Sequence, residues 1–437
     1  MFRKEAGRGD AMRVVIICDY GEINGGAAKV AILSARGLAE AGIDVNYVCA
    51  IPPISPALDH PNITVHCLGF DSVWQKRNPL AAAVQGVWNS RAKAALESVL
   101  ELLPSGPTLV HFHQWTKAFS PSVLTAPLRR GLPAIVSLHD YFLVCPNGAY
   151  YAFPQGKPCE RVPMSVSCMA ANCDSRSYTH KAVRVLRQWA TRKAMAQAGA
   201  SLSVLSVSPF AEQVIGKFIP PQHSRYVVRS PIEIAQGPRV PVGENSDFVF
   251  VGRLTEEKGI RLLAEVARDA NLPLTIVGEG PLLQELQHFE GSIRCTGWLD
   301  GSAMTEVLKR ARALVFPSTW YETGGLVVLE ALAQGIPVIA SRITAPADFI
   351  VDGVNGYTVD PGDRAALLDR LRKLTDPAGA DRMGGEAYRR YWTDPQSVAV
   401  QTANLLAVYR RLLTERDTLP ERRMTEAAGW RGSCRSR

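Results

Sequence analysis

The chain has 437 residues, 46% of them hydrophobic, with 35 Gly and 29 Pro. That length and balance fit two or three folded domains of roughly 100–200 residues each and exclude a wholly disordered chain. Lys and Arg number 49 against 41 Asp and Glu, a net charge of +8. No zinc-finger spacing or RNA-binding sheet motif accompanies this charge, so nucleic acid is not an expected partner.

Residues 1–11 are partly basic, but the apolar run that follows, 14–18, is too short for the core of a secretory signal. No apolar run reaches the ~18 residues of a spanning helix. The start therefore reads as a disordered leader on a cytoplasmic protein. Residues 12–20 predict a buried strand, and 25–42 a helix opened by a Gly-rich turn. VNYVCA (45–50), TLVHFH (108–113) and AIVSLH (134–139) predict further strands.

A helix over 181–197 carries Lys181, Arg184, Arg187 and Arg192 mostly on one side, with Val183, Val185, Leu186 and Trp189 on the other. Its basic side reads either as solvated or as a face for an anionic membrane. The strand–helix alternation then restarts, with strands at 247–254, 274–278, 313–317 and 337–341 and helices at 259–270 and 324–335.

Buried apolar strands separated by helices imply parallel sheets covered on both faces. Two such series predict an α/β protein of two doubly wound domains, 12–232 and 247–394. A Pro- and Gly-bearing linker, 233–246, joins them. A last helix, 395–416, caps one of the two, and 417–437 forms a basic tail.

Three glycine-bearing turns suit anions. Gly25 and Gly26 open the first helix, where backbone N–H groups can face a phosphate. The spacing is neither that of a dinucleotide fingerprint nor of a P-loop, and a plain structural turn is the alternative. Arg253 and Lys258, in VGRLTEEKG, stand just past a strand, where ligands of open α/β sheets bind; surface charges are the alternative. The third turn, STWYETGG, places Glu322 before Gly324, Gly325 and Leu326, with Glu330 inside the helix that follows. A Glu among Leu and Val needs hydrogen-bond partners if buried. His111 and His113 alternate onto one face of a strand and read as core or supporting histidines.

Cys145, Cys159, Cys168 and Cys173 fall within one loop-like stretch. Structural zinc, unliganded thiols, disulfides and an iron–sulfur cluster are the open alternatives.

Six segments in order along the chain resemble the GT-B glycosyltransferases of family 4. They are the Gly25-Gly26 loop, SLHD with His139, GRLTEEKG, LTIVGEGP with Gly278, the Glu322-x7-Glu330 pair and NGYTVDPGD. The resemblance implies two Rossmann-like domains facing across a cleft. It implies transfer from a UDP- or GDP-linked sugar with retention at the anomeric carbon. Arg253 and Lys258 would neutralise the diphosphate, Glu322 would hold donor-sugar hydroxyls, and Glu330 the ribose. His139 would stand beside the reacting sugar. Gly25, Gly26, Gly278 and the Gly324–Leu326 amides would complete the donor site.

No Asp-x-Asp triplet occurs, so no catalytic metal cofactor is expected. The acceptor would be a glycan or a lipid-linked glycan in envelope or extracellular polysaccharide assembly, at the inner face of the plasma membrane. A nucleotide-sugar epimerase and a non-catalytic nucleotide-sugar-binding scaffold are the competing readings. Two departures from the family's pattern concern donor-sugar placement: ETGG in place of Glu-x-aromatic-Gly, and RITAPADF with Asp348 where paired glycines and a Glu are common.

Overall fold

The computed structural model describes residues 12–289 and 292–418. The expected leader, 1–11, and all but the first two residues of the expected basic tail lie outside the described residues. The first domain contains β1 (Arg13–Tyr20), β2 (Asp44–Ile51), β3 (Ile63–Cys67), β4 (Thr108–Gln114) and β5 (Ala134–Leu138). It continues with a two-residue hairpin, β6 (Tyr151–Ala152) and β7 (Lys157–Pro158), then β8 (Leu202–Ser206) and β9 (Arg225–Val227). The second contains β10 (Asp247–Val251), β11 (Leu274–Val277), β12 (Ile293–Gly297), β13 (Ala311–Phe316), β14 (Val338–Ser341) and β15 (Gly356–Val359).

The sheet orders are β3-β2-β1-β4-β5-β8-β9 and β12-β11-β10-β13-β14-β15. Every strand pairing within the two sheets is parallel among the described residues. The fold is thus two Rossmann-like domains. Strand β1 shows why both faces are covered. Val15 and Ile17 enter one core with Ala92, Leu96 and Met195. Val14, Ile16 and Cys18 enter another with Ala28, Ala31, Ile32 and Leu38 of the helix Gly26–Glu40. Side chains alternate across a strand, so a run without polar breaks is buried twice over.

The connection between domains is less loose than its composition suggested. Val240 and Val242 are buried in the second core, and Ile232 N–H donates to the Gln396 carbonyl (2.8 Å). The chain therefore crosses between domains twice, side by side. After the second crossing the helix Val398–Thr418 returns to the first domain. Its Leu405, Tyr409 and Leu412 join the core of β1 and β2.

Gly37 makes that return contact. A Cβ there would stand 2.3 Å from Thr402 Oγ1 and 2.8 Å from Val398 Cγ1. Gly→Ala inside a helix ordinarily stabilises by about 0.5–1 kcal/mol. Gly37→Ala should do the reverse and cost about 1–3 kcal/mol through overpacking. Urea unfolding of the two proteins measures the sign.

Candidate active site at the cleft

The loops that leave the carboxyl ends of β1, β5, β10, β11 and β13 carry the residues the motifs singled out, at the edge where open α/β sheets bind ligands. On the first domain, Gly25 is the N-cap of the helix Gly26–Glu40. A Cβ at Gly25 or Gly26 would meet nothing within 4 Å. These glycines leave open space before a helix N-terminus, not a packed turn.

On the second domain, glycine serves close backbone contact. A Cβ on Gly278 would lie 1.9 Å from the Gly252 carbonyl oxygen, and its φ is +139°. The turns after β10 and β11 are thereby pressed together, with Leu254 N–H donating to the Glu279 carbonyl (2.8 Å). Gly259, φ +70°, abuts the Pro317 carbonyl and aims the preceding turn, Glu256–Lys258, at the loop after β13.

There Lys258 Nζ donates to Glu322 Oε2 at 2.5 Å, and the Trp320 indole N–H donates to the same oxygen at 2.6 Å. The ammonium also lies 4.9 Å from the centre of the Trp320 ring. Lys258 and Glu322 are both largely buried, so each depends on the other for charge balance. Arg253 differs: its side chain is 69% exposed and its ion pair with Glu257 is long, 3.8 Å. Gly325, φ +93°, caps the helix Leu326–Ala333, and a Cβ on the preceding Gly324 would meet nothing within 4 Å.

Thr323 ties this loop to the first domain. Its Oγ1 donates to the His139 carbonyl (2.7 Å), and Ser208 Oγ donates to the Thr323 carbonyl (2.9 Å). His139 follows β5 directly and shares a 3.0 Å hydrogen bond through Nε2 with His113 Nδ1. Burial pushes the His139 imidazole down to about 4 and His111 to about 3, so both are neutral at physiological pH. Glu330 meets the first domain as well. It pairs with Lys29 Nζ at 2.6 Å, from one helix N-terminal region to the other.

The structure therefore brings Lys258, Glu322, His139, Glu330 and both glycine turns to one cleft, with Arg253 at its exposed rim. Sequence reasoning missed Lys29, Trp320, Thr323 and Ser208. Lys29 was legible in principle, one turn past Gly25-Gly26. The others act through contacts between distant segments.

The cysteines and the basic helix stand as follows. The four cysteines are buried free thiols, and among the described residues no three His, Cys, Asp or Glu gather as metal ligands do. Instead the Lys181 ammonium lies 2.9 Å from Cys173 Sγ and 4.0 Å from Cys168 Sγ. Cys145 Sγ donates to Asn147 Oδ1 (3.2 Å), and Cys159 packs in the apolar core. A lysine cation stands among these thiols, and of the open alternatives this arrangement of Cys145, Cys159, Cys168 and Cys173 is that of unliganded thiols.

The helix expected over 181–197, observed as Tyr178–Ala198, is turned the other way from a solvated basic face. Arg184 pairs with buried Asp174 (3.0 Å), and Arg187 lies over the Phe142 ring (4.2 Å) while donating to the Pro146 carbonyl. Arg192 donates to the Pro163 carbonyl. The cations hold the Cys-rich insertion expected at 145–173, with its flank at Asp174, from inside. That stretch in turn reaches the loop after β13: Tyr151 Oη is 2.9 Å from Thr319 Oγ1, and Tyr150 packs on Tyr321.

Comparison with known families gives the arrangement its class. Residues 25–229 match the glycosyl transferase 4-like domain, and residues 235–390 match glycosyl transferases group 1. The chain is a group 1 glycosyltransferase of the GT-B fold. The glycosyltransferase is 29% identical over 327 residues to a glycogen synthase of Mycobacterium tuberculosis, covering 68% of this chain and 76% of the relative. A GDP-mannose-dependent alpha-mannosyltransferase of Corynebacterium glutamicum is 36% identical over 123 residues, 28% of this chain and 30% of that one. The fold matches sucrose-phosphate synthase from Thermosynechococcus elongatus, with TM-score 0.66 and 18% identity, covering 93% of this chain and all of the other. Anabaena HepE in complex with UDP-glucose matches with TM-score 0.63 and 15% identity, covering 91% and 99%.

The neutral state of His139 carries a measurable consequence. Its folded pKa lies below its unfolded one, near ~6.5, so the unfolded chain binds the extra proton and stability falls as pH drops from about 6.5 towards 4. His139→Asn should make that fall shallower by up to about 1.4 kcal/mol per pH unit. Urea unfolding at pH 7, 6 and 5 would show it. Equal slopes would mean the imidazole titrates alike in both states.

Proposed function

We propose that this glycosyltransferase moves a sugar from a nucleoside diphosphate to a hydroxyl of a glycan or lipid-linked acceptor, with retention at the anomeric carbon and no metal in the chemical step. The observation that carries the reading is the Lys258–Glu322 pair beside two glycine-opened helix N-termini, one from each domain. Such a site supplies cationic and N–H stabilisation for a diphosphate and a carboxylate for sugar hydroxyls. Relatives support the donor class: one is named for GDP-mannose, and solved neighbours hold UDP or UDP-glucose.

In the proposed reaction the bond from the anomeric carbon to the β-phosphate oxygen breaks, and its electron pair leaves with the diphosphate. Lys258, Arg253 moving in from the rim, and the amides of Gly324, Gly325 and Leu326 take up the growing charge. The acceptor oxygen bonds to the same face of the sugar, and its proton passes to the departing phosphate oxygen. Glu322 holds donor hydroxyls. His139 lies beside the reacting sugar. Glu330 exchanges Lys29 for the ribose hydroxyls, which frees Lys29 near the phosphates. Gly278 lets the β11 turn sit close enough to complete the pocket.

A membrane-bound acceptor in envelope or extracellular polysaccharide assembly fits one surface. Leu186 and Trp189 are 59% and 55% exposed, and Leu80 and Val84 on the adjoining helix Pro79–Val87 are 72% and 61% exposed. No Asp or Glu falls between Asp174 and Glu212 or between Asp71 and Glu97. No helix among the described residues is long and apolar enough to cross a bilayer. An apolar, acid-free face suits peripheral contact with an anionic leaflet on the cytoplasmic side.

A thermal-shift screen with UDP, GDP, ADP and their sugar conjugates tests the donor. One diphosphate at 100 times its Kd should stabilise by about 2.7 kcal/mol, and no shift with any of them would sink the reading. With the donor known, Lys258→Ala should cut kcat by about 30–1000-fold, equivalent to ~2–4 kcal/mol of charge stabilisation. NMR of the product should show the donor's anomeric configuration retained. For the membrane face, Trp189→Glu should abolish co-sedimentation with anionic vesicles and spare binding of the diphosphate.

A further inference from the structure

His113 lies on β4, and His139 follows the neighbouring strand β5. Their rings are stacked with centroids 5.2 Å apart and planes 20° apart, and His113 Nδ1 is 3.0 Å from His139 Nε2. Neither ring carries a second proton, because burial pushes both well below the ordinary histidine range. One proton therefore lies on the line between the two nitrogens, and it belongs to one ring or the other. That choice sets which nitrogen of His139 is left as a lone pair.

The far side of His113 decides between them. His113 Nε2 is buried with no protein partner. His113 lines a small cavity of about 10 Å³ together with Gln114, Thr116 and Asp140. That volume is about the least that admits one water. Gln114 Oε1 and Thr116 Oγ1 are also buried without partners. A water there has the two to four polar neighbours it needs. Gln114 Oε1 can only accept, and an Asp140 carboxylate can only accept. The water satisfies both by donating its two protons, which leaves its own lone pair to accept from His113 Nε2–H. Protonation of His113 at Nε2 makes its Nδ1 the acceptor, and the proton between the rings then sits on His139.

We propose that His113, through one water in this cavity, is a positioning residue that holds His139 as the Nε2–H tautomer and leaves His139 Nδ1 as a hydrogen-bond acceptor for a sugar hydroxyl. The hydroxyl partner rests on the proposed role of His139 at the reacting sugar; the tautomer does not. His139 Nδ1 makes no hydrogen bond to protein among the described residues, whereas the residue's carbonyl is taken by Thr323. A lone pair there accepts from the hydroxyl, whereas an N–H there would donate to the hydroxyl oxygen and turn its proton away. His111 takes no part in this exchange, since its nitrogens are occupied by Tyr409 Oη (2.5 Å) and Ser137 Oγ (2.8 Å).

Long-range ¹H–¹⁵N correlation spectra of histidine-labelled protein read the tautomer directly, with assignment by single substitution. His139 should appear with Nε2 protonated and Nδ1 bare. His113→Phe keeps the ring and removes the acceptor, so His139 should shift to a mixture of tautomers. His113→Asn restores an acceptor oxygen and should return the wild-type pattern. Once a donor is known, His113→Phe should lower kcat about tenfold with the donor KM nearly unchanged, and His113→Asn should recover most of it. An Nδ1–H His139 in the wild-type spectrum overturns the proposal, as does an unchanged His139 pattern in His113→Phe. If that variant fails to fold, the wild-type spectrum decides alone. Absence of sugar transfer would count against the glycosyl reading and leave the spectra to judge the tautomer.

Discussion

Everything in the cleft depends on where one threonine is held. Thr323 sits between Glu322 and Gly324, and it is bonded to the first domain through both its side chain and its carbonyl. Neither bond is strong alone, about 0.5–1.5 kcal/mol each in net terms. Together they fix the register of the loop against β5 and the start of the helix Pro209–Ile215. Carboxylate, glycine turn and helix N-terminus are then placed at once. The Lys258 ammonium and the Trp320 indole need only lock a carboxylate that is already in position.

Burying charge explains the rest of the site's surroundings. The insertion after His139 has little regular structure, so its carbonyls need donors from elsewhere. Arg184, Arg187 and Arg192 supply them from one helix face, with Asp174 and the Phe142 ring meeting the charge. This is why a helix that reads as amphipathic has its polar side inward. Amphipathic pattern tells which residues share a face. It does not tell which face meets water when loop backbone forms part of the core.

The same distinction marks what was legible in the sequence. Both sheets were, because 14–18 of β1, 248–251 of β10 and 313–316 of β13 are uninterrupted apolar runs, and β1 and β10 run directly into Gly21 and Gly252. The short strands β9 and β12 carry weaker patterns and pair only where neighbours already stand. Glu322, Lys258, Glu330 and His139 were legible as members of spaced motifs. Lys29 was legible only as a cation one turn past Gly25-Gly26; its pairing with Glu330 was not, since the two residues lie 301 positions apart. The cysteines left their alternatives open because spacing along a chain does not tell what stands between the thiols, here the Lys181 ammonium.

The returning helix Val398–Thr418 has a bearing on synthesis. Tyr409 and Leu405 complete a core whose other walls, β1 and the helix Gly26–Glu40, leave the ribosome almost 400 residues earlier. At roughly 5–20 residues per second, that surface waits some tens of seconds for its cover. During that interval the second domain can close its own core without any segment from elsewhere. The order of maturation is thus inverted: the domain made last finishes first, and the nascent first domain is the natural client for a chaperone.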